Sequence, residues 1–371
     1  MINKLSTGDS VKRYNKSIVI TFEGKRKVLS TSPLNGGYRE DLKAVFNNDC
    51  DLGEGIECKL SAPTYEEHMR IIASELGLNP DKAVGIDTAA SMDNVSIKRE
   101  EFEDLIVTAI VTGGVEINGE RVGDPASFHE RKENFEMLNH GTINIILVID
   151  ANLPEGTLTR ALVTCTEAKT AALQELMAGS NYSQGLATGS GTDGTILVCN
   201  TESELFLTNA GKHSKLGELI GYTVKEAVKE ALFLQTGLCP EYQHSILRRA
   251  KRYRINEGKI WNQYSRKETA RKMRKDDFIQ RLHEMDHDGA TVALASLYIH
   301  LLDQSDWQLL NADEVIEVGR MIARSMAKRM KVEFQWQDIE GKSRENTMEG
   351  MVDNFIALMV LMTAGSSMDI S

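Results

Sequence analysis

The chain has 371 residues, with 43 Lys and Arg against 54 Asp and Glu and a formal net charge of −11. With 41% apolar and 26% charged residues it can bury a core in each of about two domains, which excludes wholesale disorder. The longest apolar run, Phe355 to Ala364, is short of a bilayer span, and the first 15 residues lack a signal-peptide core.

Five cysteines without C-x-x-C spacing fit free thiols, so a cytoplasmic protein is expected. In chain order, short β-branched runs bounded by turn residues predict strands at 17–22, 26–31, 83–88, 104–112, 142–149, 194–199 and 204–208. Helices are predicted at 64–76, 154–178 and 215–234. Short polar turns make 17–22/26–31 and 194–199/204–208 candidate hairpins. Near Gly237 to Pro240 the texture changes: most of the 29 glycines lie before it, and helix-favouring Arg, Lys, Glu, Met and Leu follow. Charge changes too. Residues 241–280 carry 12 basic and 5 acidic side chains inside an otherwise acidic chain. Helices are expected near 241–256, 265–284, 289–303, 311–331 and 345–364, with Asn311 to Glu314 spelling a capping box and short strands around Val332 to Ile339. The sum is an α+β fold. A domain over 1–237 has a mixed β-sheet with hairpins and three main helices, and a mostly α-helical domain over 241–371 follows.

Three stretches carry candidate chemistry. Gly189-Ser-Gly191-Thr-Asp-Gly194 matches G-x-G-x-x-G, but a strand rather than a helix follows it, so a dinucleotide fingerprint is excluded. Two readings remain: a tight turn with glycines at positive φ, or a loop whose N–H groups and Asp193 face a ligand or oxyanion. In the helix after Pro154, Lys169 falls within the apolar stripe Leu158, Leu162, Cys165, Ala172 and Leu176. It must snorkel, pair with a carboxylate or serve a site. Glu167 lies on the opposite face. In Gly211-Lys-His213-Ser-Lys215-Leu-Gly217, Ser214 is placed to cap the next helix, with His213 at its mouth, and Gly217 and Gly221 suggest close packing.

Weaker signals lie further on. His283 and His287 share a helix spacing for a metal but lack H-E-x-x-H. The basic run Arg248 to Arg254 with Arg271 to Lys275 could touch nucleic acid, although the acidic bulk of the chain favours a solvated face.

Together these stretches resemble the adenosylcobinamide amidohydrolase family. The resemblance runs over about residues 15–235. It is carried by Pro33-Leu-Asn35-Gly-Gly37, Gly85-Ile-Asp-Thr88-Ala-Ala90, Thr108-Ala-Ile-Val-Thr-Gly-Gly114 and Arg121-Val-Gly123-Asp124. Gly141-Thr-Ile-Asn144, Thr166-Glu-Ala-Lys169, Ala187-Thr-Gly-Ser-Gly-Thr-Asp193-Gly and Gly211 to Gly221 follow in the family's order. The resemblance implies hydrolysis of one amide, releasing aminopropanol from adenosylcobinamide and leaving adenosylcobyric acid. The corrinoid is then substrate, and no cofactor is expected. The family's usual chain ends near Leu234, so the resemblance is silent on residues beyond 241.

Amide hydrolysis needs a nucleophile, a proton donor for the amine and oxyanion stabilisation. No G-x-S-x-G elbow is present. A metal-free site is expected, with Asp193 or His213 as base acting on water or on the hydroxyl of Thr192 or Ser214. Lys169, Lys215 and loop N–H groups would face the oxyanion. Asn35, Thr88, Asn144, Glu167, Thr188, Ser190 and Thr192 are the expected substrate-binding set. Two other classes stay open: a non-catalytic corrinoid-binding or sensing protein, and a nucleic-acid-associated regulator using a basic helix over 247–275. The Met-rich stretch Met348 to Met362 is expected in a core or a homo-oligomer interface, and no membrane partner is expected.

Overall fold

Alternation of apolar side chains along the strands sorts the first part of the chain into two sheets that share one core. The computed structural model describes residues 1–50, 60–126, 142–266, 272–341 and 343–365, and the chain divides into two units, Met1–Cys239 and Pro240–Ser371. In the first unit the elements run β1 (Asn3–Lys4), β2 (Ser10–Tyr14), β3 (Ser17–Thr21), β4 (Arg26–Ser30), β5 (Gly37–Arg39), β6 (Ala44–Asp49) and α1 (Tyr65–Glu75). Then come β7 (Ala83–Thr88), β8 (Ser96–Phe102), β9 (Leu105–Gly113), β10 (Gly119–Glu120), β11 (Ile143–Ile149) and α2 (Glu155–Glu175). β12 (Gly189–Ser190), β13 (Gly194–Asn200) and α3 (Lys215–Thr236) complete it.

One sheet has the order β1-β2-β3-β6-β7, the other β5-β4-β13-β11-β9-β8, and β10 and β12 form a separate ribbon. Each large sheet holds one parallel pair, β6 with β7 and β11 with β13, bridged by α1 and α2 respectively. Ile18, Ile20, Val45, Val84 and Ile86 of the first sheet pack against Ile110, Ile146, Val148, Ile196 and Val198 of the second. On the far side of the first sheet, α1 lays Met69, Ile72, Ala73 and Leu76, one helical face, over Val19, Phe46 and Ala83. On the far side of the second, α2 and α3 cover the opposite strand faces, including Ile145, Leu147 and Ile149 of β11. The result is four layers, helix–sheet–sheet–helices, of the α+β class.

Both predicted hairpins fail. β3 pairs with β2 and β6 whereas β4 pairs with β13 and β5, so residues 22–25 cross between sheets. The turn residues are right for a tight bend, but strand partners are chosen by which edges are free. Residues 204–208 form no strand; Asn152 and Phe206 make a single bridge there. The crossing at 22–25 is pinned by charge. Arg26, fully buried, donates to both carboxylate oxygens of buried Asp9 (2.8 and 2.9 Å), to Thr7 O (2.7 Å), Lys25 O (2.8 Å) and Asn200 Oδ1 (3.0 Å). Cys165 and Cys199 are buried free thiols, whereas Cys50 is disulfide-bonded, so the expectation of free thiols fails there.

The second unit comprises α4 (Ile246–Ala250), α5 (Glu257–Arg266), α6 (Lys275–Asp286), α7 (Gly289–Asp306), α8 (Ala312–Arg329) and α9 (Arg344–Gly365). Its core centres on Phe278, Tyr298, Met351, Phe355 and Met359. The capping box at Asn311 and Glu314 is present. α9 is long and apolar enough to cross a membrane by length and composition, with 61% of its apolar window buried. The expected helix 241–256 stops after α4, and the chain turns at Arg254 (φ 58°). The cause is Arg252, drawn inward to Asp303, which also accepts from Tyr253 Oη at 2.7 Å. Arg249 donates to Gln243 O and Arg248 stacks on Tyr242, so residues 247–275 are not one basic helix. His283 and His287 turn to different partners, Glu257 and the His244 carbonyl. Residues 332–339 are extended without strand pairing, with Val332, Phe334 and Trp336 packed on the helical core at alternate positions.

Candidate functional site

At one end of the four-layer unit, the starts of β11 and β13 meet the finishing ends of β6 and β7. Asn144, the second residue of β11, joins them. Its Nδ2 donates to Asn47 Oδ1 (2.8 Å) and to Asp87 O (2.9 Å), while its Oδ1 accepts Gly194 N (3.0 Å). Asn47 Nδ2 in turn donates to Thr112 Oγ1 at 2.8 Å. By strand alternation Asn47, Thr112 and Asn144 all lie on faces turned into the space between the sheets, where an unpaired amide would be costly. They clamp each other instead.

Lys169 reaches this end from α2. Its ammonium pairs with the Asp193 carboxylate, the side chains being only 11% and 13% exposed. Of the three fates open to a lysine in an apolar stripe, it takes the paired one. Asp193 Oδ1 also accepts Ile143 N (2.9 Å), Ser190 N (3.1 Å) and Ser190 Oγ (2.7 Å). To take a proton, Asp193 would have to give up contacts that hold the loop. The ammonium has three hydrogens and, among the described residues, one hydrogen-bonded partner, so it keeps donors for an incoming oxygen.

The glycines of this loop serve space, not φ. None of Gly189, Gly191 and Gly194 has positive φ. A Cβ on Gly189 would fall on Asp193 Oδ2 and lie 2.7 Å from Lys169 Nζ, and one on Gly194 would lie 2.7 Å from Asn144 Oδ1. The tight-turn reading with positive-φ glycines is therefore corrected: backbone must pass closely over a charged pair. Thr142 Oγ1 donates to Thr192 O at 2.6 Å, and Thr188 Oγ1 accepts Val122 N at 2.9 Å.

Not every expected residue joins the cluster. Ser214 caps α3, accepting Gly217 N at 3.0 Å, as its position in the sequence predicts. Gly217 packs against the Gly211 carbonyl, but nothing lies near a Cβ on Gly221. The His213 segment meets α2 at other residues: Ala210 O accepts Thr164 Oγ1 at 2.8 Å and Gly211 lies beside the Arg160 side chain. His213 is exposed and makes no bond among the described residues. Lys215 pairs with Glu218 and lies over the Phe102 ring, and Glu167 pairs with Lys212 on the outer face. Asn35, at φ 50°, donates to Pro80 O and Ala83 O. Thr88 is buried, its hydroxyl accepting Ala90 N. We expect His213→Ala to turn over substrate within about threefold of wild type in steady-state assays.

Cys165, one turn before Lys169, is the thiol on this stretch of α2. Complete burial pushes its thiol up to about 12, against the pull of Lys169, so almost no thiolate exists at neutral pH. Cys165→Ser is expected to leave kcat unchanged and Cys165 of the folded wild-type protein to escape iodoacetamide, both readable by mass spectrometry of products and of the labelled peptides. Sequence reading missed Asn47, Thr112 and Asp87. Asp87 lies within the quoted Gly85-to-Ala90 stretch, where strand alternation turns it from Thr88's face to meet Asn48 (2.9 Å) and His68 (3.5 Å). Among the described residues, no three His, Cys, Asp or Glu side chains are gathered as a metal would need.

A family model described as adenosylcobinamide amidohydrolase matches residues 2–240. An uncharacterized protein of Methanocaldococcus jannaschii is 33% identical over 238 residues, covering 61% of this chain and 89% of its own. A protein of Methanosarcina mazei named adenosylcobinamide amidohydrolase is 30% identical over 228 residues, 59% of this chain and 96% of its own. The crystal structure of a Pyrococcus horikoshii protein aligns with a TM-score of 0.30 and 14% identity, over 61% of this chain and 83% of that one. The family match spans the four-layer unit and leaves the helical unit outside it: the chain belongs to the adenosylcobinamide amidohydrolase family.

Proposed function

We propose that the protein hydrolyses the aminopropanol amide of adenosylcobinamide, yielding adenosylcobyric acid and 1-amino-2-propanol in cobamide salvage. Family membership supports an amidohydrolase acting on this corrinoid. The observation that carries the chemistry is the low-exposure Lys169–Asp193 pair under a glycine loop. An amide carbonyl becomes an oxyanion when attacked, and a fixed cation in a poorly solvated site stabilises that charge far more than water does. Asp193 holds Lys169 and the loop in place, and Lys169 meets the oxyanion. Ser190, Thr192 and Thr188, at the same loop, line the approach as substrate-binding groups. The nucleophile is water, and the site works without a metal.

The test is incubation of the purified protein with adenosylcobinamide, with and without a chelator, followed by mass spectrometry for adenosylcobyric acid. Product in both arms is expected. Product lost with the chelator would overturn the metal-independent site, and tight corrinoid binding without product would replace the hydrolase by a corrinoid-binding protein.

A further inference from the structure

The cluster around Lys169 lacks one component that amide hydrolysis requires. Expulsion of an amine needs a proton at nitrogen, and attack by water needs a proton removed from oxygen. Asp193 is committed to Lys169, Ser190 and Ile143. Asp87 holds Asn48 and lies beside His68, and Asp124 holds Ser180 and the Arg121 backbone. Glu120 is different: its carboxylate has no hydrogen bond or ion pair among the described residues.

Its position follows from strand pairing. β10 runs antiparallel to β12 with Glu120 directly opposite Gly189. Residues directly opposite in such a ribbon project to the same face, with Cβ positions about 5 Å apart. The face of Gly189 is known, because a Cβ built there points at Asp193 Oδ2 and lies 2.7 Å from Lys169 Nζ. Glu120 therefore stands on the face of the ribbon that looks onto the ion pair. Its Oε2 lies 2.9 Å from where a Cβ of Gly191 would be, so the absence of a side chain at Gly191 leaves the space this carboxylate occupies. Two glycines, one opposite Glu120 and one beside it, leave room for the carboxylate and the cation on one face of the ribbon.

We propose that Glu120 is the proton-transfer residue of the reaction; this rests on the amidohydrolase reading above. As a carboxylate it takes a proton from water while the water oxygen bonds to the amide carbon and the carbonyl electron pair moves onto oxygen beside Lys169. The resulting carboxylic acid gives that proton to the amide nitrogen as the carbon–nitrogen bond breaks. The oxyanion re-forms the carbonyl, leaving the corrinoid acid and the free amine, and Glu120 is again a carboxylate. The acid product then loses its proton to the amine in solution.

The test uses the full chain with adenosylcobinamide and separates turnover from binding. Glu120→Gln keeps size and hydrogen bonding but cannot shuttle a proton, so kcat should fall at least about 100-fold while the dissociation constant for adenosylcobinamide stays within about threefold. Glu120→Asp, a shorter acid, should recover part of the lost kcat. An active wild type with a glutamine variant of near-normal kcat would overturn the role of Glu120 and leave the hydrolase standing. So would equal loss of binding and turnover in both variants, which marks a merely structural residue. A wild type that binds the corrinoid without releasing aminopropanol would overturn the hydrolase reading itself, and Glu120's role with it.

Discussion

Lys169→Met is expected to lower kcat for adenosylcobinamide by about two to three orders of magnitude, roughly the loss seen when one preorganised oxyanion donor is removed. Methionine keeps the length of the side chain and its packing on the apolar stripe of α2, so the change is chiefly the loss of charge. The cost to folding is real, because Asp193 is left with three donors and no cation in a place only 13% exposed. Gly189→Ala reaches the same pair from the other side. Both charges stay, but the added methyl falls on Asp193 Oδ2 and crowds Lys169 Nζ, so the pair must open or the loop must move. The alanine variant is expected to lose turnover to a similar degree. Circular dichroism and steady-state assays on both variants decide it: a folded protein of either kind with kcat within threefold of wild type would remove Lys169 from the oxyanion site.

Arg26→Met should destabilise the four-layer unit by about 3–5 kcal/mol, the usual result of stranding one charge of a buried pair. At about 2–4 °C per kcal/mol for a unit of this size, the thermal midpoint falls by roughly 6–20 °C. The size of the effect comes from the geometry. The guanidinium donates to Asp9, Thr7, Lys25 and Asn200 at the point where residues 22–25 cross between the sheets, and removing it leaves the buried Asp9 charge with only the Thr7 hydroxyl and the Glu23 N–H. Because desolvation offsets much of what a buried pair contributes, adding Asp9→Leu to Arg26→Met should recover part of the loss. Denaturant or thermal unfolding of the full chain checks both. A single variant within 1 kcal/mol of wild type would show that the pair contributes little to stability.

Much of the molecule was legible in local sequence. The helices α1, α2, α3, α7, α8 and α9 follow from apolar periodicity, and the caps at Ser214 and Asn311 follow from side chains that satisfy free N–H groups. The strands β3, β4, β7, β9, β11 and β13 follow from β-branched runs. Lys169 was marked by being the wrong residue on an apolar face. Its partner was not, because Asp193 is 24 residues away and only the crossover of α2 brings it back. Short polar strands such as β2 and β8 carry too little apolar signal to stand out, and partners between strands are set by sheet edges rather than by the turn between them. His213 and Asp193 were equal candidates in the sequence; the tertiary structure separated them by pairing Asp193 with Lys169 in a place of low exposure and leaving His213 exposed. Likewise the G-x-G-x-x-G run was legible as a tight backbone, but only packing revealed what its glycines leave room for, an ion pair beside Gly189 and the Glu120 carboxylate beside Gly191. Periodicity and capping are local physics, acting within a turn or two. Strand partnership, burial of charge and the meeting of residues more than 20 positions apart are settled only when the layers close on each other.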